Sequence, residues 1–77
     1  MKNEYEQIRE TGRERVYNFI VEFIRKNGYS PSIREICDGT GLSSTSSVYN
    51  HLVILKMMGK IDMKESTSRS ISLVDYK

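Results

Sequence analysis

Covalent and metal chemistry need nucleophiles, bases or ligands in groups, and this chain offers a single histidine, His51, and a single cysteine, Cys37. Neither has a second imidazole or thiol to work with, so His51 is expected to be structural and hydrogen-bonded and Cys37 a small buried residue. No catalytic residue, metal site or cofactor motif is expected. What the chain holds in number is neutral hydrogen-bonding groups on short stems, gathered in SSTSSVYNHLVILKMMG, residues 43–59. On a helix, Ser46, Asn50 and Val53 fall in one sector with Tyr49 on its flank, while Val48, His51, Leu52 and Leu55 fall nearly opposite. One side can be buried and the other is offered outward. Short amides and hydroxyls suit contact with base edges in a DNA major groove, where an asparagine can bond adenine bidentately. Each such residue also has a plain reading: Asn50 solvated on an amphipathic helix, Tyr49 packed on its own domain, Ser43 or Ser44 serving only as an N-cap.

That helix needs a scaffold, and the preceding residues describe one. Residues 1–10 are polar, with only Tyr5 and Ile8 as an apolar pair, and read as an N-terminal extension to a domain over 11–77. Thr11 and Glu14 have capping-box spacing, and Val16, Phe19, Ile20, Phe23 and Ile24 repeat with a helical period until Gly28. Pro31 makes residues 28–31 a connection. Ser32 and Glu35 repeat the capping-box spacing, which predicts a short helix from about Ile33 to Asp38 with Ile36 inward. Gly39-Thr40-Gly41 then turns the backbone sharply and Leu42 returns to the core. After Gly59 the period becomes two: Ile61 and Met63, then Ile71 and Leu73, alternate with polar residues on either side of the loop 65–69. Met57 and Met58, near Met63, read as core filler or as an adaptable patch beneath that loop, with core preferred. The expected fold is mainly α with a small β-hairpin: three helices and a two-stranded wing, a winged helix-turn-helix.

Seventy-seven residues with 38% apolar content support one modest core. No apolar run approaches the roughly 18 residues of a membrane span, and the charged N-terminus does not read as a signal peptide, so no membrane partner and a cytoplasmic location are expected. The net charge is +2, and all of the excess lies in residues 43–77, with five Lys/Arg against three acids. This permits DNA binding without arguing for it. Arg34, Lys56, Lys60, Lys64 and Arg69 are candidate phosphate contacts, and four such contacts would give log affinity a slope of roughly −3 to −4 against log salt.

From about Val16 to Leu73 the chain resembles the N-terminal DNA-binding domain of the LexA repressor family. The matching residues are Gly28-Tyr29-Ser30-Pro31-Ser32, Arg34-Glu35-Ile36, Gly41-Leu42-Ser43-Ser44, His51-Leu52, Leu55, Gly59, Ile61 and Ser68-Arg69-Ser70-Ile71. The resemblance implies a repressor that lays its third helix in the major groove of double-stranded operator DNA. It places the DNA-contacting positions at Ser44, Ser46, Ser47, Tyr49 and Asn50, with Arg69 in the wing near the phosphates. A second copy on a palindromic site is expected, because one domain this small buries little surface on DNA. Relatives usually continue into a self-cleaving peptidase domain with a Ser/Lys pair, for which these residues hold no counterpart. A fragment of such a repressor and a stand-alone relative are both compatible with that. A protein-interaction module docking through Tyr49, Met57 and Met58 is the rival reading. An enzyme is disfavoured for want of any nucleophile and base.

Overall fold

Both capping boxes form, and each starts a helix. In the computed structural model, which describes residues 11–64 and 69–74, Thr11 Oγ1 accepts from the Glu14 N–H at 3.0 Å and the Glu14 carboxylate accepts from the Thr11 N–H at 3.2 Å. Two of the first-turn donors that a helix leaves unpaired are thereby satisfied. Helix α1 runs Gly12–Asn27 and ends at Gly28, whose left-handed φ of 82° lets its N–H reach the Ile24 carbonyl. Val16 and Ile20 are fully buried, while Phe19, Phe23 and Ile24 are half-buried. The expected extension over residues 1–10 and most of the expected wing loop lie outside the described residues.

Helix α2 spans Ile33–Thr40, two residues longer than its spacing predicts, because the two glycines that follow Asp38 do different work. Gly41 turns the chain, with φ 77°. Gly39 remains helical and lies against the Phe19 ring so closely that a Cβ there would fall inside the ring's van der Waals surface. The absence of a side chain at Gly39 sets how near α2 comes to α1. Thr40 closes the helix by donating its hydroxyl to the Ile36 carbonyl at 2.6 Å.

Helix α3, Thr45–Met57, is capped by Ser44, whose Oγ accepts from the Ser47 N–H at 3.2 Å. At its other end the Gly59 N–H reaches the Lys56 carbonyl and the Lys60 N–H reaches the Leu55 carbonyl, both at 3.0 Å. This paired arrangement around a left-handed glycine, φ 80° at Gly59, turns the chain into the hairpin. Strands β1 (Ile61–Asp62) and β2 (Ser72–Leu73) pair antiparallel, Ile61 opposite Leu73 and Asp62 opposite Ser72. Ile61, Met63 and Ile71 join Val16, Ile20, Ile36, Val48, Leu52 and Leu55 in one core. Among the described residues the fold is three helices and a two-stranded antiparallel hairpin, consistent with a winged helix-turn-helix. Among the described residues no helix is long and apolar enough to cross a membrane.

Candidate nucleic-acid interface

Among the described residues, helix α3 is gripped along one side only. It packs on α1 and α2 and meets β1. Val48 and Leu52 are fully buried, Leu55 nearly so, and His51 is half-buried at the edge of that side. On the other side Ser46, Tyr49 and Asn50 are exposed, and within the described residues their side chains make no hydrogen bond, ion pair or ring contact. Val53, expected on this face, packs against the core, so the free edge narrows to Ser46, Tyr49 and Asn50. Ser44 and Ser47 stand at its start and are partly engaged: Ser44 is the cap, and its hydroxyl lies 3.4 Å from that of Ser47.

The five candidate cations divide sharply. The Arg34 and Lys64 side chains are exposed and, within the described residues, without a partner. Lys56 Nζ donates to the Met63 carbonyl at 3.1 Å and sits 4.0 Å from Asp62. Lys60 lies over the Tyr17 ring, 5.3 Å from its centre. Arg69 is the most committed. Its Nη1 and Nη2 donate to the two Glu35 carboxylate oxygens at 2.9 and 3.0 Å, Nη1 also donates to the Ser30 carbonyl at 3.0 Å, and the guanidinium lies 5.1 Å from the Tyr29 ring centre. The wing arginine thus has an internal set of partners. The fork held by Arg69, helped by the Ser32 backbone N–H and opposed by partial burial, keeps the Glu35 carboxyl below the usual glutamate range.

Two expectations change. Met57 and Met58 are not core filler: they are 79% and 52% exposed and lie with exposed Ile54 at the end of α3, while only Met63 goes inside. The reason is helical phase: Ile54, Met57 and Met58, three and four positions apart, share the outward side of the last turn, while Leu55 in that same turn is buried in the core. His51 is half-buried, but the hydrogen bond expected for it is not seen: among the described residues its Nδ1 is buried without a partner, and its ring fills the space over Gly12, where a Cβ would come within 2.9 Å of Nε2. Cys37 is half-buried. Among the described residues no group of three or more potential metal ligands occurs.

Sequence reasoning did not find Tyr29, Ser30 and Glu35 as partners of Arg69. They lie 34 to 40 positions away, and Glu35 was already accounted for by its cap.

The family model for the LexA DNA-binding domain matches residues 10–70. A LexA repressor of Clostridium botulinum is 53% identical over 60 residues, 78% of this chain and 30% of that protein. The LexA repressors of Caldicellulosiruptor saccharolyticus and Carboxydothermus hydrogenoformans are 44% and 41% identical over 63 and 64 residues, covering 82% and 83% of this chain. The chain spans about 30% of the length of these curated relatives.

Proposed function

The chain belongs to the LexA DNA-binding domain family, and from that premise we propose that it binds operator DNA sequence-specifically and represses transcription. Helix α3 enters the major groove with Ser46, Tyr49 and Asn50 toward the bases, Ser44 and Ser47 lie near the backbone at its start, and Arg34 and Lys64 meet phosphates. The observation that carries this reading is the free edge of α3. A helix tightly packed on one side keeps its hydrogen-bonding side chains on the other without partners among the described residues, as a surface that reads an outside polar edge requires.

A second copy on a palindromic site supplies the affinity that one small domain lacks, and a cytoplasmic location follows from the same role. The decisive test is selection of bound duplexes from a random DNA pool. Enrichment of one motif, in two inverted half-sites, supports the reading; recovery of unenriched DNA, or of none, refutes it.

A rival reading, a protein-docking module, draws on the exposed Ile54, Met57 and Met58 at the end of α3. Retention on random DNA separates the two: a DNA binder elutes at a salt concentration set by its phosphate contacts, and a docking module is hardly retained.

A further inference from the structure

The hairpin stands on two polar fastenings that the reading of α3 does not use. The first is Ser70. Its hydroxyl accepts from the Lys64 N–H at 3.1 Å and donates to the Lys64 carbonyl at 2.9 Å, taking over the next position of the strand ladder with a side chain. The second is Arg69, held at a left-handed φ of 54° and reaching back to Ser30 and Glu35 at the entry to α2. A non-glycine residue adopts that backbone region at a cost, and here the side chain's three hydrogen bonds and its ring contact offset it.

We infer that Glu35 and Arg69 are a pair of positioning residues, clamping the hairpin root to the start of α2 so that Lys64 and Arg34 present their charges to DNA in fixed register. This rests on the DNA-binding reading and deepens it. Arg69 acts through the hairpin rather than as a phosphate contact. Its guanidinium has both forks on Glu35 and one on Ser30, and the carboxylate cancels its charge at short range. Lys64 is the residue this clamp places, since Ser70, next to Arg69, holds both of its backbone polar groups. Arg34 adjoins Glu35 on the helix that the clamp grips.

The sign of one substitution separates the two roles of Arg69. Glu35→Gln keeps a side-chain oxygen for the Ser32 cap but removes a negative charge and the ionic fork. By electrostatics alone it would tighten DNA binding, and an Arg69 released onto phosphate would steepen the salt slope by roughly one. Positioning demands the reverse. Glu35→Gln and Arg69→Lys should each weaken binding to a duplex selected by the native protein by about tenfold, as when the loosened hairpin holds its pose about one time in ten. The double variant should be no weaker than either single one, and the salt slope should stay at the native value. Tighter binding by Glu35→Gln, a steeper slope, or additive losses in the double variant would overturn the inference.

Amide hydrogen exchange of the DNA-free chain supplies an arm that needs no duplex. In both variants the Lys64 and Val74 amides should exchange faster while those of Val16 and Ile20 in α1 are unchanged; equal protection in native and variant hairpins would also overturn it. A chain that selects no DNA refutes the binding reading, and exchange still decides whether the clamp holds the hairpin.

Discussion

The free edge of α3 and the root of the hairpin are both polar and both exposed, yet their hydrogen-bonding groups are in opposite states. Ser46, Tyr49 and Asn50 have no partner within the described residues, whereas Arg69, Glu35 and Ser70 are each held by two or more internal hydrogen bonds. Solvated side chains on a rigid helix can exchange water for a ligand without breaking anything in the fold. Groups already paired can bind outside only by giving up a partner, so they serve better to hold than to read. On the proposed reading, the contrast separates recognition from positioning in a domain with one small core.

Four measurements would break or sharpen the contrast. The largest effect is expected on the gripped side of α3, where Leu52→Ala should lower unfolding free energy by about 2–5 kcal/mol in urea titrations. A loss no greater than that of an edge substitution would mean the helix is not two-sided. On the free edge, Asn50→Ala should change stability by less than about 0.5 kcal/mol. It should nonetheless remove about 1–3 kcal/mol of discrimination between the selected duplex and single-base variants, measured by competitive titration. An equal loss on every duplex would take Asn50 out of base reading.

At the boundary between the two regimes, Ser44→Ala should cost about 1 kcal/mol through the lost cap. If affinity falls by much more than stability, Ser44 is also a DNA contact. The smallest effect is on pH. The Glu35 carboxyl titrates below its unfolded-state value, so the native state binds that proton less readily. Its contribution is complete above the unfolded-state value and is lost as pH falls through the lowered native one. Thermal melts of the native chain should therefore drop more steeply in acid than those of Glu35→Gln, though modestly, because the pair is exposed to solvent screening. Parallel acid limbs would show that the clamp adds nothing to stability.

Features whose cause lies within one or two helical turns were legible in the residues. Thr11 with Glu14, Ser32 with Glu35, and Gly28 and Gly41 announce where helices begin and end, because caps are local hydrogen bonds. The alternation around Ile61, Met63 and Ile71 likewise announced which strand residues go inside. Gly39 is not the second hinge that its spacing suggests, and the reason is out of reach of local sequence, because its neighbour Phe19 lies twenty positions away on another helix. Met57 and Met58 lie outside the core that their composition suggests, because apolar character does not say which side of the last turn they occupy. Of the candidate site, the α3 edge followed from helical periodicity, while the division of the cations into free and committed did not.

By itself, then, the chain's order of residues determined the elements, their caps, the buried stripe of α3 and the family to which it belongs, all of which depend on short-range spacing. Only the tertiary structure decided which polar groups remain available. An arginine's charge is visible in a sequence, but whether a carboxylate 34 residues away has already claimed it depends on how the helices and the hairpin come together.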